Sequence, residues 1–180
     1  MGTHKLPPKT GRLMPLNIVL VAGGWAASVA LGSILTVPSG VFRVGLVVHV
    51  IALVASFGAV LLVDWYGFLW HVRQRGIHEM GRLEHAARPI IWGGIVGILA
   101  SGTVLHPHLS SGLTWLKLVC VLLMINGVVV DLLVHELHAN PADTRFHDLP
   151  CGIRAHMLIA MALSQLCWWT AIAVGFINTV

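Results

Sequence analysis

The sequence predicts an all-α integral membrane bundle of five transmembrane helices, N terminus cytoplasmic and C terminus outside. Three observations carry that prediction. Of 180 residues, 57% are hydrophobic and 10% charged, against roughly 25% charged in an ordinary soluble domain. Polar groups are therefore too few to cover a water-exposed globule, and lipid must be the solvent for most of the chain. Apolar stretches of the length that a lipid core about 30 Å thick demands of a helix recur along the sequence. Basic residues, finally, concentrate in alternate gaps between those stretches.

The first helix, about 15–37, follows Lys5, Lys9 and Arg12. It is long for the apolar part of a secretory signal and is expected to be retained. The second, about 41–71, opens after Pro38-Ser39-Gly40, and the third, about 89–106, stops at Pro107. The fourth, about 113–137, follows Ser110-Ser111-Gly112, and the fifth, about 154–178, follows Pro150-Cys151-Gly152. Proline and glycine at these points end or cap helices. No gap has room for a second domain, so residues 1–180 read as a single transmembrane domain.

Lys and Arg resist translocation. The amino-terminal tail, the gap with Arg73, Arg75, Arg82 and Arg88, and the gap with Arg145 and Arg154 are thereby assigned to the cytoplasm. The alternate gaps hold little beyond Arg43. Trp65, Trp70 and Trp92 fall near the inner boundary and Trp115 near the outer one, as expected of interfacial aromatics. The expected location is the cell's inner membrane. The excess of 11 basic over 7 acidic residues acts as a topology signal, and no nucleic acid partner is expected. Cys120, Cys151 and Cys167 form no CxxC and no even-numbered framework, which excludes a disulfide-built fold. The runs Gly23-Gly24 and Gly93-Gly94-x-x-Gly97 predict close helix packing.

Eleven histidines are the most informative count, because ionisable groups within membrane helices usually face a bundle interior or a site. On the second helix His49, Asp64 and His71 lie within about 60° of one another, at about 100° per residue, and form one expected stripe. Lys117, Asp131, His135 and His138 share a face of the fourth helix, and His156, Cys167 and Asn178 share one on the fifth, by the same arithmetic. Depth divides them into an outer group of His49, Lys117, His106 and His108, and an inner group of Asp64, His71, Asp131, His135 and His156. Neutral imidazole ligates haem iron, copper and zinc, and a carboxylate can orient its other nitrogen. Either group is a candidate site, with His49, His106 and His71 as candidate metal ligands. His71 and His49 stand about 33 Å apart along a helix, which favours one haem over two on this helix.

The stretch His49-Val50-Ile51-x-x-Val54-x-x-Phe57, followed by a second histidine near the far helix end, resembles the first helix of the HemJ-type protoporphyrinogen oxidases and of the related CopD-type copper-resistance membrane domain. Leu113-Thr114-Trp115-Leu116-Lys117-Leu118-Val119 resembles the lysine-bearing helix of the same families, and Arg82 to Leu105, with Trp92 and Gly102, is similar to the helix between them. The resemblance covers about residues 42–135. It implies a membrane oxidoreductase binding haem b, or copper, through His49 with Lys117 close by. The chain adds a helix before the matching region, and its last helix reads Arg154-Ala155-His156-Met157 where those oxidases carry an Arg-x-x-Asn-Glu-type motif.

Three readings remain open on the sequence. The first is a haem b-binding redox protein with His49 as axial ligand, His106 or Lys117 as outer partner, His135 and His156 as the next ligand candidates, and Asp64 and Asp131 as interior carboxylates. The second is a copper-binding or copper-transport protein using His49, His106 and His108 with Cys120, Met124, Met157, Met161 and Cys167. The third is a non-catalytic accessory subunit of a larger membrane complex, or a homo-oligomer, whose buried polar groups fix helix register.

Overall fold

The computed structural model describes residues 10–72, 77–124, 127, 128, 130 and 144–177. Its helices are α1 (Thr10–Ile34), α2 (Ser39–His71), α3 (Ile77–Gly102), α4 (Gly112–Leu123) and α5 (Cys151–Ile177), with a short 3-10 turn at Phe146–Asp148 before α5. No strand occurs among the described residues. Three segments are long and apolar enough to cross a membrane: Pro15–Ile34, Ser39–His71 and Cys151–Ile177. Their outward faces agree with a lipid surround. Leu20, Ile51, Val54, Ile159 and Leu166 are between 62% and 67% exposed, a surface that water would drive to aggregate.

The tightest packing joins α2 to α3, and glycine makes it possible. A Cβ added at Gly94 would lie 2.5 Å from the Ser56 Cβ and 2.8 Å from the Ala52 carbonyl oxygen, and one at Gly97 would lie 2.9 Å from the Ala52 Cβ. The backbones meet as small-residue motifs allow, and Ser56 donates across the contact to the Ile91 carbonyl at 2.9 Å. The other close pair is α4 with α5, centred on buried Cys120, Cys167 and Ala171. α1 leans on α3 through Ser28, which donates to the Leu99 carbonyl, and reaches α4 through Trp25, whose Nε1 donates to the Leu118 carbonyl at 2.9 Å.

The two pairs touch each other more sparingly. Phe57 of α2 stacks on Trp168 of α5 at 5.5 Å and meets Trp169 edge-on at 5.1 Å. Trp70, Met80, Phe146 and Leu149 form a separate buried cluster at one end. Space is left between the pairs, and the candidate sites lie in it.

Several boundaries differ from expectation. α3 begins at Ile77 rather than near 89, because the charged segment is itself helical. Glu84 and Arg88, one turn apart, form a two-pronged pair with both contacts at 3.1 Å that supports the turn before Pro89. The same helix ends at Gly102, leaving His106 in a loop. α1 releases at Ile34, since the residue before Pro38 is driven to extended backbone. Trp70, expected at the interface, is 1% exposed and donates from Nε1 to the Thr144 carbonyl at 3.3 Å. Asp131 and His135 lie outside the described residues.

Candidate functional site

The first cavity is bounded by α1, α2, α3, α4 and α5. His49 and Lys117 are its ionisable residues, set among Trp25, Leu53, Ile98, Leu99, Val121 and Trp168. Helical period places His49 on the face of α2 that meets α3. There its Nδ1 lies 2.9 Å from the Ser101 hydroxyl oxygen. That hydroxyl has one proton, and Ser101 donates it to the Gly97 carbonyl one turn back at 2.5 Å. With the hydroxyl proton so placed, the Nδ1–H tautomer of His49 completes the arrangement by donating to Ser101. A histidine protonated at Nδ1 carries its lone pair on Nε2, the tautomer of a metal-ligating imidazole whose second nitrogen is held by an acceptor.

The second cavity lies further along the bundle and is slightly the larger of the two. Ile95, Met124 and Trp168 line both cavities and form the partition between them. The polar residues of the second cavity are Asp64, Ser164 and the Glu84–Arg88 pair, among Trp70, Trp92, Phe146 and the thioethers of Met80, Met157 and Met161. Asp64 accepts a 2.5 Å hydrogen bond at Oδ2 from Nε2 of Gln165 on α5. A carboxyl on an apolar helix needs such a partner.

The expected stripe on α2 therefore serves three neighbours rather than one site. His49 faces α3, Asp64 faces α5, and His71 packs edge-on against Phe146 at 4.8 Å and stacks on His147 at 5.7 Å. Among the described residues no three His, Cys, Asp or Glu side chains gather around a common point. His49 and His71, candidate ligands of the outer and the inner group respectively, sit about 33 Å apart along one helix. His106 adopts left-handed backbone, φ 47°, and its neighbours Leu105 and Pro107 line the first cavity in its place. His156 is exposed, because the first turns of α5 direct Ile153 and Met157 inward and leave His156 beside that face.

Cys120 of α4 and Cys167 of α5 are both free and buried. They share one buried cluster with Ala171, and Met124 packs against it. Sequence reasoning did not single out Ser101, Gln165 or Glu84. The available signal was a lone polar residue inside an apolar run, which Ser101 and Gln165 both are.

The chain matches no family model, no curated protein and no solved structure.

Proposed function

We propose that this chain is a five-span protein of the cytoplasmic membrane, N terminus inside and C terminus outside, that binds one haem b in the cavity between α2 and α4 through Nε2 of His49. The observation that carries the reading is the relay from His49 Nδ1 through Ser101 to the Gly97 carbonyl. It holds the imidazole in the ligating tautomer inside an apolar cavity.

The residues present fit the group. The cavity has apolar and aromatic walls, its imidazole has an unshared pair, and the Lys117 ammonium is matched to a propionate. The resemblance of residues 42–135 to HemJ-type oxidases supports the same two residues. When bound, the haem would supply one-electron transfer. The chain's own part would be to hold the His49 imidazole at a fixed tautomer, to neutralise a propionate with Lys117, and to exclude water with Trp25, Leu99 and Trp168.

The test is a visible spectrum of the purified protein in detergent. A Soret band is expected, lost or strongly shifted in His49→Ala with helicity intact, and retained in His71→Ala, whose ring lies outside the cavity. An unchanged spectrum in the His49 variant overturns the assignment. For topology, single cysteines at positions 78 and 109 in a cysteine-free background distinguish the faces. Labelling of closed cells is expected at 109 and not at 78, and the reverse pattern overturns the orientation.

The buried cluster of Cys120 and Cys167 with Met124 against it favours a second reading, copper handling, since thiolate and thioether ligands select Cu(I). Stoichiometric copper by elemental analysis in a colourless protein, lost in Cys120→Ser with Cys167→Ser, would establish that reading in place of the first.

A further inference from the structure

The sides of the His49 cavity are not equally secured. α2 and α3 are locked by backbone contact at Gly94 and Gly97, α4 and α5 share the buried Cys120, Cys167 and Ala171, and Phe57 stacked on Trp168 joins one pair to the other. Between α3 and α4, by contrast, contact is sparse among the described residues. α1 lies across that seam. Its Trp25, Ser28 and Val29 line the cavity together with Leu99 and Gly102 of α3 and Leu118 and Val121 of α4.

The hold on α1 changes along its length. Near its C-terminal end Gly32, the one buried residue of α1 among those described, is pressed against the loop that follows α3: a Cβ there would lie 3.1 Å from the Pro107 Cδ and 3.3 Å from the Gly102 carbonyl oxygen. Midway the helix stands off its neighbours. A Cβ at Gly23 meets nothing within 4 Å, and one at Gly24 meets only the Leu99 Cδ1 at 3.9 Å. Two hydrogen bonds tie this part to the bundle, Ser28 to the Leu99 carbonyl at 2.6 Å and Trp25 Nε1 to the Leu118 carbonyl at 2.9 Å. Helix association in lipid has no hydrophobic drive, and a hydrogen bond between helices there is weak. Parting α1 from α4 thus breaks one such bond and exposes apolar side chains to lipid, not to water. We propose that α1 is a lateral gate, hinged at Gly32 and latched to α4 by Trp25, that swings off the α3–α4 seam to pass an apolar ligand between the bilayer and the His49 cavity. The inference rests on reading that cavity as a ligand site.

A gate changes rates and leaves the equilibrium alone. Trp25→Phe keeps a ring and removes the donor, so uptake and release of haem by the full-length protein in detergent should both quicken about threefold, the worth of an average hydrogen bond between membrane helices, with Kd unchanged. The opposite perturbation uses Ser28 and Gly102, where an added Cβ at Gly102 lies 3.6 Å from the Ser28 hydroxyl oxygen. Ser28→Cys with Gly102→Cys in a cysteine-free background can therefore be oxidised to a disulfide that pins the middle of α1 to α3. Haem exchange in the oxidised protein is expected to be at least tenfold slower than in the same protein reduced. A readout free of haem is alkylation by N-ethylmaleimide of Leu53→Cys, on the cavity wall, in the same background, which should quicken about threefold when Trp25→Phe is added. If the parent takes up no haem, the haem reading fails while the alkylation still reads the gate. Equal alkylation with and without Trp25→Phe, haem exchange indifferent to the disulfide, or a Trp25→Phe effect confined to release, which would make the indole a ligand contact, would each overturn the proposal.

Discussion

Gly93 and Gly94 are neighbours on α3, and the structure predicts opposite outcomes for the same substitution at the two. A Cβ at Gly93 meets nothing within 4 Å. Gly93→Ala therefore gains only the helix propensity of alanine over glycine, up to about 1 kcal/mol. At Gly94 the new carbon would lie 2.5 Å from the Ser56 Cβ, 2.8 Å from the Ala52 carbonyl oxygen and 3.1 Å from the Ser56 Cα. Carbon pairs are at their optimum near 3.5–4.0 Å. A backbone carbonyl and a Cα cannot rotate aside, so α2 and α3 must separate by roughly 1 Å at their closest point. Overpacking of this kind costs about 1–3 kcal/mol, and separation also lengthens the contact between His49 and Ser101 a few residues along.

Thermal melting of the two variants in detergent measures the difference directly. At about 2–4 °C per kcal/mol for a chain of this size, Gly94→Ala should melt some 2–12 °C below Gly93→Ala, while Gly93→Ala matches or exceeds the parent. Equal midpoints for the two variants would refute the argument that backbone contact at Gly94 sets the α2–α3 distance.

Two further predictions follow from the same geometry. Ser101→Ala removes the acceptor that fixes the His49 tautomer. On the proposed haem assignment, affinity by titration should fall about 10–100-fold, as for other partners that orient a ligating histidine, with unchanged helicity, and an unaltered affinity would show that Ser101 does not orient His49. Trp70→Ala empties a site that is 1% exposed and should cost about 3–5 kcal/mol; Trp65→Ala, at a side chain 56% exposed, should change the melting midpoint little, and similar losses in both would place Trp70 back at the interface.

The 57% of apolar residues in long uninterrupted runs pointed to helices long and apolar enough to cross a membrane, because such runs have few structural solutions in lipid, and the described residues are helical with three such segments. The glycine run on α3 announced a close approach, and helical period put His49 and Lys117 on inward faces. These are local properties, set by residue type and by the 3.6-residue repeat. Period says which side of a helix a residue occupies, but not which neighbour stands opposite. Only the tertiary structure decided that His49 meets Ser101, that Asp64 meets Gln165 about 100 positions away, and that the α2 stripe is divided among α3, α5 and the Phe146 turn. The turn at His106 and the inward face at the start of α5 likewise depend on packing, which is why His106 and His156 left the sites the sequence offered them. The two cavities, finally, arise where two tightly packed helix pairs meet loosely, and a gap between elements is a property of their arrangement that no single stretch of sequence encodes.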